Sequence, residues 1–185
     1  SLNGVAVTAW NGIAFTAWNG TGISASGGGP TYLLNENFEG TPSGWTTNSG
    51  TGGVADLAYT ASPLSGSKSA RCMEASGDCT LTYDLGASYA ALEGSFEFKA
   101  KSAYSTSNLT NRLCFRMENS GGTAMGAVNI TTTSSGTVCA LNAKMLTVNG
   151  TATSATFGLD TKVYVWWAWD NTSDTLTTWW DTTNT

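Results

Sequence analysis

Apolar and polar positions alternate most clearly near the end of the chain, in KVYVWWAWD (162–170) and TLTTWWD (175–181). Val, Tyr, Trp and Thr fit a pleated surface, and Asn171-Thr172-Ser173-Asp174 between the runs is turn-forming. The stretch 162–182 therefore predicts a β-hairpin with a four-residue loop, in which Asp170 pairs with Thr175, Trp169 with Leu176, Trp166 with Trp179 and Val165 with Trp180. Successive side chains on a strand point to opposite faces. One face carries Val163, Val165, Trp167, Trp169, Leu176 and Trp180 and reads as core. The other carries Tyr164, Trp166, Ala168, Thr177, Trp179 and Asp181. Either a second layer covers that face, or it is a platform for a flat ligand such as a sugar ring. Large aromatics usually pack, so burial is the expectation.

The same two-residue period recurs upstream. Strands are predicted near 54–60, 68–74, 79–85, 91–101, 111–118, 124–132, 136–142 and 144–150, with turn signals at 75–78, 120–122 and 134–136. In the 91–101 strand Phe96 and Phe98 alternate with Glu97 and Lys99. Helical periodicity is not sustained anywhere. Many short strands with Gly, Ser and Asn turns predict an all-β, antiparallel sandwich.

Residues 3–26 are an eight-residue repeat, NGVAVTAW, NGIAFTAW, NGTGISAS, and each copy opens on the tight-turn dipeptide Asn-Gly. Val5, Val7 and Ala9 are in phase with Ile13, Phe15 and Ala17, and the first charged side chain is Glu36. Such strands cannot bury a core alone, which predicts stacking on copies of themselves or on other chains. The plainer reading is one hairpin packed on the main domain. The predicted organisation is a β-repeat stem or anchor at 1–26, a Gly-rich linker at 27–31, and a sandwich at 32–185.

Charged residues make up only 11% of the chain, and Thr, Ser, Asn and Gly take their place. That composition suits an extracellular or virion surface. The net charge of −5 and the lack of a basic patch argue against nucleic-acid binding, and no apolar run is long enough for a membrane helix. With no His, triad catalysis and most zinc sites are excluded. The four cysteines predict two disulfides, Cys72–Cys79 across a hairpin and Cys114–Cys139 between neighbouring strands, against the alternative of four buried thiols. Asn-x-Ser/Thr sequons at Asn19, Asn108, Asn129, Asn149 and Asn171 are expected by chance in so Thr-rich a chain.

Three stretches resemble known families. The repeats resemble the NGV repeats of tailed-phage tail-fibre and virion appendage proteins. Asn35, Phe38, Glu39, Gly40, Gly44 and Trp45, followed by Gly66, Ser67, Ser69 and Arg71, resemble the opening strands of jelly-roll modules, including carbohydrate-binding modules. The Trp hairpin resembles a strand pair of concanavalin A-like, laminin-G-like sandwiches. The resemblance implies a jelly-roll β-sandwich and a homo-oligomer formed through residues 1–26. It also implies contacts with other virion proteins and, in such modules, one structural calcium ion, with Glu39 as first ligand and Glu36 as second. Laminin-G-like sandwiches continue beyond this hairpin. The last strands are therefore expected to be missing, or supplied by a neighbouring chain, or absent from an open sheet edge. Concanavalin-like glycosidases carry their acids at alternate positions of one strand. Here Ser95 stands between Glu93 and Glu97, so the pattern is incomplete and no catalytic residue is assigned.

Three functions compete on these grounds. The first is a non-enzymatic structural protein of a virion surface or appendage, with host-glycan adhesion compatible with that role. The second is a carbohydrate-binding module of a secreted bacterial protein, stacking sugars on Trp45, Tyr104, Trp166 and Trp179. An enzyme is the distant third. The repeat separates the first two, because a free-standing sugar module has no use for an oligomerising stem.

Overall fold

The computed structural model describes residues 21–25, 32–49, 51–73, 79–100, 112–132, 138–145, 148–149 and 155–183. They are all-β, with no helix among the described residues. In chain order the strands are β1 (Thr21–Ala25), β2 (Tyr32–Glu36), β3 (Trp45–Asn48), β4 (Val54–Tyr59), β5 (Ser69–Met73), β6 (Thr80–Tyr83) and β7 (Ala91–Lys99). They continue with β8 (Arg112–Glu118), β9 (Ala124–Thr132), β10 (Val138–Met145), β11 (Val148–Asn149), β12 (Phe157–Gly158), β13 (Lys162–Asp170) and β14 (Thr175–Asp181). The chain divides into two compact units, residues 1–33 with 88–185, and residues 34–87.

The first unit is sandwich-like. Its larger sheet runs β14-β13-β7-β1-β2, and its second runs β11-β10-β9-β8, with β12 also on β10. The Trp hairpin forms in the predicted register, with Asp170 opposite Thr175, Trp166 opposite Trp179 and Val165 opposite Trp180. β13 then pairs antiparallel with β7, placing Val163 opposite Phe98, Val165 opposite Phe96 and Trp167 opposite Gly94. Alternation sends these residues inward, where Val163, Val165 and Trp167 are at most 1% exposed. They meet Val128, Ile130, Cys139 and Leu141 of the second sheet, with Phe157 at the same core. Aromatic rings bridge the layers. Phe115 lies 4.7 Å from Trp167 and 5.4 Å from Phe96, and Phe157 meets Phe98 at 5.8 Å and Trp180 at 5.2 Å. Ring pairs at these spacings add to the burial of apolar area that drives the two sheets together.

The third repeat copy is part of this unit. Its residues Thr21–Ala25 form β1, antiparallel to β7, with Gly22 opposite Ser95 and Ala25 opposite Leu92. In strand order β1 stands between β7 and β2. The first two copies lie outside the described residues.

The second unit holds two small ribbons, β3 with β6 and β4 with β5. Trp45 pairs with Tyr83, and the Trp45 ring packs at 5.4 Å on Tyr83 and 5.5 Å on Phe38. Gly44 has a φ of 79°, and a Cβ there would come within 2.9 Å of the Tyr83 ring, so glycine suits both the turn and the close approach. Arg71 of β5 lies over the Tyr59 ring of β4, 4.2 Å from its centre. The predicted Cys72–Cys79 disulfide is formed, with its Cα atoms 5.7 Å apart.

The other predicted disulfide is not. Cys139 is a free, fully buried thiol. β8 and β10 are not neighbours but flank β9 on either side, so Cys114 and Cys139 stand two strand spacings apart. That alone is about 10 Å, beyond the reach of a disulfide. Burial pushes the Cys139 thiol above its ordinary pKa and keeps it protonated and inert.

Candidate functional site

The outer face of the larger sheet collects the aromatics that the core does not take. Where the inner face holds odd-numbered β13 residues, the outer holds Lys162, Tyr164, Trp166 and Ala168. Across the sheet, Trp166 is flanked by Trp179 of β14 and Ser95 of β7, and Tyr164 by Asp181 and Glu97. The Tyr164 and Trp166 rings are nearly parallel, 16° apart with centres 6.4 Å apart. Trp179 is the only exposed large hydrophobic residue among those described, at 36%. Tyr164 and Trp166 are half-buried. Three aromatic rings therefore occupy two adjacent strands on one face, with polar side chains around them.

The charged edge of this patch is ordered. Lys162 Nζ lies 2.9 Å from Glu97 Oε2 and 4.8 Å from the centre of the Tyr164 ring. Burial disfavours the ammonium charge, but the hydrogen bonds it donates to Glu97 and Tyr164 outweigh this and hold the Lys162 pKa above the ordinary lysine value. Lys162 stays charged and pinned beside the rings. Past the aromatics, Ala168 and Glu93 are covered, at 8% and 3% exposed, while Thr177 opposite Ala168 stays exposed. The sequence posed platform and burial as alternatives for the whole face, and the structure divides it. Tyr164, Trp166 and Trp179 reach solvent, and Ala168 and Glu93 do not.

Of the sequence-predicted sugar-stacking residues, Trp166 and Trp179 share one strand pair, where they are register partners across the hairpin. Trp45 belongs to the second unit, where Phe38 and Tyr83 take up its ring. Tyr104 lies outside the described residues. Tyr164 joins the patch without having been singled out. Its signal was the i, i+2 spacing to Trp166 on the less apolar side of the hairpin.

Glu39 and Glu36 have other partners than a metal. Glu39 Oε1 accepts hydrogen bonds from the Ser67 and Lys68 backbone N–H groups, at 2.8 and 3.1 Å, and Oε2 accepts one from the Ser67 hydroxyl. Gly66, with a φ of 60°, makes the turn that presents these donors, and a Cβ there would collide with the Glu39 carboxylate. The Ser67 hydroxyl bond, with the Lys68 N–H bond behind it, holds the Glu39 pKa below its usual value. Glu36 Oε1 instead accepts from the Phe38 N–H at 2.7 Å, where Phe38 adopts a left-handed φ of 62°. Each carboxylate is thus an acceptor for its own turn. No group of three or more His, Cys, Asp or Glu among the described residues is placed to hold a metal ion.

No protein-family model, curated protein or solved structure matches the chain, so a functional reading rests on its own residues and geometry.

Proposed function

We propose that the protein is a non-enzymatic structural module of a virion surface or appendage, self-associating through its N-terminal repeats, and that it holds polysaccharide on the outer face of its larger sheet. The observation that carries the adhesive role is the Trp166–Trp179 cross-strand pair, extended by the parallel Tyr164 ring and open to solvent at Trp179. A pyranose ring offers an apolar C–H face that stacks on such rings. Its hydroxyls would meet the polar groups at the patch border, Glu97, Lys162 and Ser95. The two facing sheets, in which β7 pairs with both β1 and β13, favour a concanavalin A-like jelly roll over a simple meander. The Cys72–Cys79 disulfide favours an extracellular or virion setting. A glycan array or host-cell polysaccharide pull-down tests the adhesive role. Trp166→Ala and Trp179→Ala should each abolish binding while the chain stays folded. Binding that survives both substitutions would refute the platform.

A further inference from the structure

We infer that the polysaccharide held on the outer face of the larger sheet is an acidic one, and that Lys99 receives its anionic group. The inference rests on the proposed adhesive role of the Trp166–Trp179 pair and names the class of sugar chain that this site takes.

The outer face is laid out in rungs of register partners on β14, β13 and β7. Trp179, Trp166 and Ser95 form one rung, and Asp181, Tyr164 and Glu97 form the next. Beyond them Lys162 stands opposite Lys99. On the other side of the Trp rung, Ala168 and Glu93 are covered. A sugar chain stacked on Trp166 and following β13 away from that covered pair passes over the nearly parallel Tyr164 ring and arrives at the two lysines.

Two like charges directly opposite each other on neighbouring strands work against the sheet. Phe96 and Phe98 pack against the core, so alternation turns Glu97 and Lys99 to the outer face together. Glu97 could offset either lysine, and it takes Lys162, with Oε2 2.9 Å from Nζ. Lys162 also lies 4.8 Å from the centre of the Tyr164 ring. Asp181, on the far side of Tyr164, is turned into its own turn. Its Oδ1 accepts from the Thr182 and Thr183 N–H groups and from the Thr183 hydroxyl. Lys99 makes no ion pair among the described residues. It is half-buried, so a countercharge brought to it is less screened than in open water. A pyranose carrying a carboxylate or sulfate supplies that countercharge while its C–H face stays on the rings. A neutral sugar leaves the two lysines opposed.

Glycan arrays that carry neutral and acidic chains side by side test this. Polygalacturonate against its methyl ester, and dextran sulfate against dextran, isolate the charge on one sugar and separate carboxylate from sulfate. The glycans lost on Trp166→Ala should be acidic ones. Lys99→Gln should weaken them about tenfold, and Lys99→Arg should restore them. The melting temperature of Lys99→Gln should be no lower than that of the unaltered chain, because the substitution removes the lysine–lysine opposition. A marked drop would show that Lys99 is part of the packing and would count against its role as the anion receiver. Trp166-dependent binding that is equally strong to neutral chains, or that survives Lys99→Gln, would overturn this inference and leave the adhesive role standing. Binding to acidic chains that survives Trp166→Ala, or no glycan binding at all, would sink the adhesive role and this inference with it.

Discussion

In the first unit Val163, Val165, Val128, Leu141 and Trp167 are each at most 1% exposed, whereas in the second only Leu34 and Ser69 among the described residues fall below a tenth. The first unit has two sheets to press together, so apolar burial alone gives it a continuous core. The second spans residues 34–87 and, beyond the end of β2, has only paired ribbons. A segment of that size buries a smaller share of its surface, and small units generally need a covalent or polar staple. Here the staples are the Cys72–Cys79 disulfide, the Glu39 carboxylate on the 66–68 turn and the Arg71–Tyr59 contact. The larger unit resists through volume, and the smaller through a few specific links. Mutational sensitivity should follow that division.

The largest effect is expected at Trp167. Replacing this fully buried ring by Ala should cost about 3–5 kcal/mol, enough to unfold most of a marginal domain. Near-native melting of Trp167→Ala, followed by near-UV circular dichroism, would break the account of the core. Next is the disulfide. Cys72→Ser with Cys79→Ser should cost about 2.5 kcal/mol on the chain-entropy model, with faster amide exchange confined to residues 34–87. Equal loss of protection around Val163 and Val165 would mean the two units are not separately stabilised.

The Glu39 lock should show a pH signature. Its folded-state pKa lies below the ordinary 4.5, so its contribution is fully present above that pH and is lost as pH falls through the lower folded value. The Ser67 and Lys68 amide shifts should titrate with a midpoint below 4.5, and Glu39→Gln should abolish the titration. A midpoint at or above 4.5 would show that the hydrogen bonds are not formed in solution. The smallest stability effect is expected at Trp179, which at 36% exposure is the most open of the large hydrophobic side chains among the described residues. Trp179→Ala should shift melting by no more than about 2 °C, in keeping with a surface substitution. A larger drop would show that the Trp179 side chain is part of the packing of the first unit.

How much of this was legible in the sequence depends on how local the determinant is. The hairpin register follows from one turn and two alternating runs, and it is present as read. The Cys72–Cys79 link spans a single short connection and was equally plain. Cys114 and Cys139 required knowing which strands are neighbours, and β9 between them is a matter of sheet order that period-two patterning does not encode. Glu39 and Ser67 were each picked out in separate motifs, yet their contact spans 28 residues and nothing in either motif announces it. The third repeat looked like its two predecessors because Asn-Gly and alternation are all that a repeat displays. Its place between β7 and β2 is decided by residues some 70 positions downstream.

That placement has a consequence for biogenesis. The strand that stands between β7 and β2 is made well before its register partners, because Ser95 and Glu93 are translated 73 and 69 residues after Gly22 and Ser24. Contacts so distant in sequence close slowly. For all of that interval the ribosome-bound chain presents three uncharged, strand-prone repeats with no sheet to enter, a state prone to premature association. A misassembly risk thus accompanies these repeats during synthesis, and the arrival of β7 gives the third copy its sheet.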